Sequence, residues 1–192
     1  MRKIIFDIET DGLIVNDGSK QIFPNIYVVS IYDSETDKYS TYEESELKNL
    51  WPILEKADLL IGYNNNGFDT PVLNSFYSGD LTKIQSLDIL DEIKKSLGRR
   101  IKLDTVAEAT LGRKKISNGL EAMTWWKQGL KDKVKEYCVE DVKITKEVYE
   151  YALKNGILKY KDKDTGQIKD IKLDTSHWEK KSDSAITHTL FG

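Results

Sequence analysis

The sequence predicts one α/β domain, a mixed sheet with helices on its faces, and three observations carry that expectation. Three strand-like segments come first and read as a meander, the second and third joined by a link short enough for an antiparallel hairpin. Helical and strand-like segments then alternate, which calls for crossovers. A long segment of helical period follows, with apolar residues at three- and four-residue spacing. A chain of 192 residues with 39% hydrophobic and 32% charged residues can bury one sizeable core, which excludes a disordered polyampholyte. Its longest apolar runs, such as Ile4-Ile5-Phe6, are too short for a spanning helix or a secretory signal, so the expected location is the cytosol, away from membranes.

Taken in order, residues 2–9 are β-branched and apolar until Thr10-Asp11-Gly12 ends them, the pattern of a buried strand running into a turn. Residues 26–33 and 37–42 form two more strands across Ser34-Glu35-Thr36-Asp37. Leu47, Leu50, Trp51 and Leu54 predict a helix over 45–56, and residues 57–63 return to a strand. After the loop Asn64-Asn65-Asn66-Gly67, a helix is expected from about Pro71 with Thr70 as its cap. Residues 84–90 predict a strand followed by a helix that Gly98 ends. Thr105 and Glu108 have capping-box spacing, with Leu103 as a staple, for a short helix to Leu111. Leu130, Val134, Cys138, Val142, Thr145, Tyr149 and Ala152 predict the long helix over 131–153. Beyond Gly156, residues 158–161 and 168–173 read as a hairpin followed by a polar tail, so a domain over 1–155 is expected with the hairpin and tail of 156–192 packed on it.

The single cysteine, Cys138, excludes an internal disulfide and a thiolate zinc cluster, and the two histidines, His177 and His188, lie in the tail. A metal here needs carboxylates. Asp7 and Glu9, two apart on a strand, leave the same face at a sheet end, where burial and mutual repulsion would be costly without a compensating cation. An exposed edge strand accounts for such a pair equally well. Asp69 adds a carboxylate at a loop-to-helix junction, and Asp141 a fourth, with Tyr137 one helical turn earlier. Taken singly, each is also what a helix start or a helix surface would carry.

In order and context these residues resemble the tyrosine (DEDDy) branch of the 3'-5' exonucleases, similar to the proofreading domains of family B and family A DNA polymerases. Phe6-Asp7-Ile8-Glu9-Thr10-Asp11-Gly12 resembles the first exonuclease motif, Gly62-Tyr63-Asn64-Asn65-Asn66-Gly67-Phe68-Asp69 the second and Tyr137-Cys138-Val139-Glu140-Asp141 the third. The histidine branch would place histidine where Glu136 stands. The resemblance covers about residues 1–153 and implies a ribonuclease H-like, five-stranded mixed sheet with helices on both faces. It further implies that Asp7 bridges two divalent cations, Mg²⁺ or Mn²⁺, that Glu9 and Asp141 complete one site, that Asp69 supports the other, and that Tyr137 orients the attacking water. Thr10, Leu13, Asn64 and Phe68 occupy positions that the resemblance turns toward substrate, although core packing is an equal reading for Leu13 and Phe68. The implied activity is removal of nucleoside 5'-monophosphates from the 3' end of DNA, with single-stranded or frayed ends preferred.

Other readings remain beside it. An RNA-trimming exonuclease of the same fold would use the same carboxylates, a ribonuclease H or resolvase-like endonuclease would not require the Tyr-x-x-x-Asp motif, and a silent nucleic-acid-binding or docking module would keep the fold without turnover. The chain is expected to act alone, as a subunit or as an excised fragment of a longer protein, and a DNA polymerase or other replication or repair protein is the expected partner. Residues 94–135 hold 12 basic and 4 acidic side chains in a chain whose net charge is -3, a local excess suited to a phosphate backbone or to a solvated lysine-rich face. Trp125 and Trp126 lie within that stretch as candidates for base stacking or core packing. Asp88 and Asp104 have no assigned role: Asp88 is a candidate support for the site and Asp104 a helix-start residue.

Overall fold

A computed structural model describes residues 1–113 and 119–180. Its centre is a five-stranded sheet in the order β5-β4-β1-β6-β7. Strands β1 (Lys3–Thr10), β4 (Ile26–Asp33) and β5 (Lys38–Glu43) are the expected antiparallel meander, while β6 (Leu59–Gly62) and β7 (Ser86–Asp88) run parallel to β1. The order is mixed for a local reason. A short turn joins β4 to β5 and the excursion over residues 11–25 returns the chain beside β1, whereas α1 (Leu47–Leu54) and α2 (Asp69–Phe76) carry it across before β6 and β7. A further pair, β2 (Val15–Asn16) and β3 (Gln21–Ile22), projects between β1 and β4 and was not evident in the sequence, because two-residue strands have no periodicity to read.

Alternation along β1 divides the core. Ile4, Phe6 and Ile8 pack with Leu50 and Leu54 of α1 and Val72 of α2, and Ile5 faces the opposite layer with Val142 and Val148. That opposite layer is α6 (Lys131–Asn155), the expected long helix, ended by Gly156 at φ 67°, a left-handed conformation that glycine adopts at least cost. Asp7 and Glu9 continue the face that Ile5 begins, so alternation brings both carboxylates toward α6.

Several local expectations are corrected. The strand expected over 84–90 shortens to β7, because Asp88 caps α3 (Ile89–Leu97) by accepting from the N–H groups of Leu90 and Asp91. Helix α2 starts at Asp69 and Thr70 does not cap it: Thr70 already lies in the first turn, and the Val72 N–H that its hydroxyl would accept from is bonded to the Phe68 carbonyl. Helix α4 (Leu103–Leu111) starts at Leu103, with the N–H groups of Thr105 and Val106 both bonded to the Lys102 carbonyl, so Thr105 lies inside the helix instead of capping it. Helix α5 (Gly119–Lys127) was missed within the basic stretch, and it buries Ala122 against Val134 and Cys138 of α6.

The hairpin of β8 (Ile157–Lys161) and β9 (Ile168–Lys172) is as expected, but the segment after it is more than a polar tail. Trp178 is 1% exposed and stacks on Tyr149 of α6 with ring centroids 5.9 Å apart, and Leu158, Ile171 and Leu173 join the same cluster. His188 lies outside the described residues. Among the described residues, no helix is long and apolar enough to cross a membrane.

Candidate metal centre

The carboxylates converge where β1 outruns its parallel neighbour. Pairing with β6 stops at Ile5 and Ile61, and beyond that point the N–H of Ile8 donates to Asp69 Oδ1 at 3.2 Å. Asp69, at the start of α2, is thereby tied to the backbone between Asp7 and Glu9. On the other side, β1 pairs with β4 until a register shift between Glu9 and Thr10, an irregularity of the kind that re-aims side chains at sheet ends. From the layer above, α6 brings Asp141. Asp7, Glu9 and Asp141 each offer an oxygen, all within 4.8 Å of one another.

Electrostatics follow from that crowding. Burial pushes the Asp7 carboxyl well above its usual range, and the neighbouring charges of Asp69, Asp141 and Glu9 add to the effect. Burial, then Asp141 and Asp69, raises Glu9 to about 8. Burial raises Asp69 to about 7 against the opposing hydrogen bond from Ile8. Among the described residues, no Lys or Arg forms an ion pair with Asp7, Glu9 or Asp69. An all-oxygen set of hard, mutually repelling donors fits a hard divalent cation, which would relieve the repulsion that the side chains leave standing.

Tyr137 stands one helical turn before Asp141, near enough for the charges of Asp141, Glu9 and Asp7 to act on its phenol. Burial and the carboxylates around it raise its pKa, so the phenol stays protonated. Its ring meets the edge of Trp125 at 6.1 Å. Cys138 is buried behind Asp7, with Sγ 3.4 Å from the Asp7 carbonyl oxygen and 3.6 Å from Oδ2.

The positions expected to face substrate separate. Leu13 is 76% exposed, so core packing does not account for it, whereas Phe68 is partly buried against the α1–α2 layer. Thr10 is buried and its hydroxyl donates to the Gly12 carbonyl. Asn64 adopts φ 72° and its Oδ1 accepts from Arg100 Nη2. A Cβ on Gly67 would come within 2.8 Å of that oxygen, so a side chain there would disturb Asn64.

Asp88 is the residue whose role the sequence left undecided. Its Oδ1 accepts from the Asn64 N–H at 2.8 Å and its Oδ2 from the Asn66 N–H at 3.0 Å, while Oδ1 also caps α3. One carboxylate thus fixes the loop between Asn64 and Asp69. The available signal was a lone aspartate closing an apolar strand just ahead of a helix, which is an N-cap pattern. Asp104 sits in the first turn of α4, as expected. The tryptophans pack: Trp126 stacks on Tyr27 at 4.6 Å, and Trp125 carries Lys133 Nζ over its ring at 3.9 Å. Much of the basic stretch is internally paired, including Arg113 with Glu140 and Glu147, and Lys131 and Lys135 with Glu43. Lys114 and Lys115 lie outside the described residues. His177 faces Glu92 at 3.6 Å, in a different part of the sheet edge.

A family model described as RNase_H superfamily matches residues 4–153. Among solved structures, the family B DNA polymerase from the hyperthermophilic archaeon Pyrobaculum calidifontis is similar, with a TM-score of 0.60 and 18% identity. That match covers 79% of this chain and 24% of the polymerase chain, so it is a likeness of fold with about a quarter of a longer protein. No curated protein matches the sequence.

Proposed function

This chain belongs to the RNase H superfamily, and from that premise we propose that it is a metal-dependent 3'-5' exonuclease acting on DNA. Family membership supports a nuclease-type function. The observation that supports the finer reading is the cluster of Asp7, Glu9 and Asp141 oxygens within 4.8 Å of one another, with Tyr137 one helical turn before Asp141 and Asp69 bound to the strand between Asp7 and Glu9.

Asp7, Glu9 and Asp141 would hold one divalent cation, and Asp7 with Asp69 a second. Mg²⁺ or Mn²⁺, when bound, would supply Lewis-acid activation of water and neutralise charge on the phosphate and the leaving 3'-oxygen. The chain's own contribution is positional. Asp69 is held to β1 by the Ile8 N–H, so the fourth carboxylate does not drift from the pair. Tyr137, kept protonated, is a donor able to orient water on the side of α6. Leu13, exposed at the end of β1, is offered to the terminal base, and Asn64 with Phe68 to the terminal nucleotide. Glu9 and Asp69 are only 9% and 5% exposed, so a phosphate must be inserted to reach them. A single-stranded or frayed end inserts more readily than a paired one.

The test incubates 5'-labelled single-stranded DNA, its RNA counterpart and a matched duplex with Mg²⁺, Mn²⁺ or chelator. A metal-dependent ladder shortening from the 3' end is expected, suppressed by Asp7→Ala and by a 3'-terminal phosphorothioate, with the duplex slower. Internal cuts that ignore a blocked 3' end would instead indicate an endonuclease. A ladder on RNA alone would assign the enzyme to RNA trimming, and binding without cleavage in either metal would leave a docking module.

A further inference from the structure

We propose that a groove between the α3–α4 connection and the β8–β9 hairpin carries the phosphate backbone of a single-stranded polynucleotide on toward the carboxylates. The proposal rests on the nuclease reading for its direction of travel. Its own basis is geometric and electrostatic. The groove encloses about 570 Å³, and its charged lining consists of Arg99, Arg100, Lys102, Lys161 and Lys163, with no carboxylate among the lining residues. Five cations on one surface, in a chain whose net charge is -3, form a local field of the sign a phosphate strand requires.

Both walls are held in place. Gly98, at φ 70°, ends α3 and turns the chain into Arg99-Arg100-Ile101-Lys102, where the Tyr63 hydroxyl donates to the Ile101 carbonyl at 2.7 Å. The opposite wall is fastened to α4: the Lys159 N–H donates to Thr110 Oγ1 at 2.9 Å, and that hydroxyl donates to the Lys159 carbonyl at 3.2 Å. Asp162 organises the hairpin turn by accepting from the N–H groups of Asp164 and Thr165, and it also pairs with Arg99 and Lys169. Arg99 is spent in part on that pair and on the ring of Tyr160, 5.2 Å below it. Lys102, Lys161 and Lys163 are exposed, and among the described residues no carboxylate pairs with them.

The groove adjoins the loop that leads to Asp69. Tyr63 lines it, the next residue is Asn64, and Arg100 spans the gap by donating to Asn64 Oδ1. Asn64 opens the loop that ends in Asp69, so a strand lying on Arg100 reaches the carboxylates along one continuous loop. Open cationic grooves of this kind hold strands without reading sequence, and their affinity falls steeply with salt.

The experiment measures binding of labelled single-stranded DNA and RNA of about 15 nucleotides, within the range a single-strand groove covers, by anisotropy in chelator. Salt is varied for the wild type and for Lys102→Ala/Lys161→Ala/Lys163→Ala, with thermal unfolding to check the fold. Loss of three phosphate contacts should weaken binding at least about tenfold at low salt and make the salt slope shallower by about two. In Mg²⁺, the preference in kcat/KM for the long strand over a trinucleotide should shrink at least about fivefold, because the trinucleotide spans too little to use the groove. Unchanged affinity and slope in a folded variant would overturn the proposal, as would equal losses on both lengths or a wild type that binds neither polymer. Binding that depends on the three lysines without any cleavage would sink the nuclease reading and leave the groove standing, and the DNA and RNA arms separate the two sources of phosphate.

Discussion

Asp7, Glu9 and Asp69 each bind a proton more tightly in the folded chain than in the unfolded one, first because they are buried and then because like charges face them. Stability without metal should therefore decline as pH rises. Glu9 titrates ordinarily at 4.5 and in the fold at about 8, so the folded state holds the extra proton between those values, and stability falls across that window before levelling off. Thermal unfolding in chelator from pH 5 to about 8.5 should show the decline, and saturating Mg²⁺ should remove most of it. Asp7→Asn, which deletes one of the crowded charges at almost constant shape, should raise the metal-free Tm by about 2–4 °C, roughly 1 kcal/mol at this chain length, while abolishing cleavage. A metal-free Tm that is unchanged or lower would mean that the carboxylates are neutralised by something other than a cation.

Elements explain which parts of this were legible. Asp7 and Glu9 could be assigned to one face of one strand because a period of two leaves no choice once β1 is recognised, and Tyr137 with Asp141 followed in the same way from a helical period of 3.6. The fold class was legible for a similar reason, since periodic segments that alternate between strand and helix call for a mixed sheet with helices on its faces. Helix starts were not. Thr70 and Thr105 are good capping residues in the wrong places: the Val72 N–H that the Thr70 hydroxyl would have accepted is bonded to the Phe68 carbonyl, and Thr105 lies inside α4, whose first turn closes on the Lys102 carbonyl. The clamp by Asp88 was illegible because its partners, Asn64 and Asn66, lie more than twenty residues away and join it only through the β6–β7 pairing. Replacing it tests that role. Asp88→Ala removes a helix cap and two loop contacts and should cost about 2–4 kcal/mol, with cleavage falling further than the lost stability explains, because Asn64 and Asp69 lose their reference point. Asp88→Asn keeps an acceptor oxygen and should retain more of both, whereas equal losses in the two variants would remove the positioning role and leave only the charge.

At the scale of the whole molecule, the hairpin and the segment after it belong to the same hydrophobic cluster as the sheet and α6. That Trp178 is the anchor could not be read from the sequence, because one tryptophan among polar residues has no period. Its burial depends on the surface that α6 and α3 present, with Tyr149 beneath the ring and Glu92 accepting from the indole N–H at 3.4 Å. Trp178 therefore fastens the C-terminal segment across the layer that carries Asp141, and Glu179 extends the attachment by accepting from the Tyr149 hydroxyl and pairing with Lys3 of β1. Trp178→Ala should lower stability by about 3–5 kcal/mol, the range for emptying a large aromatic site, and Trp178→Phe, which keeps a ring on Tyr149, should lose clearly less. Denaturant unfolding decides between two pictures of this region. A single transition shifted to lower denaturant, with unchanged slope, means that the hairpin, the following segment and the sheet unfold as one unit. A separate early transition would mean that the hairpin opens by itself, and the cationic groove would then lose one wall before the carboxylate cluster is disturbed.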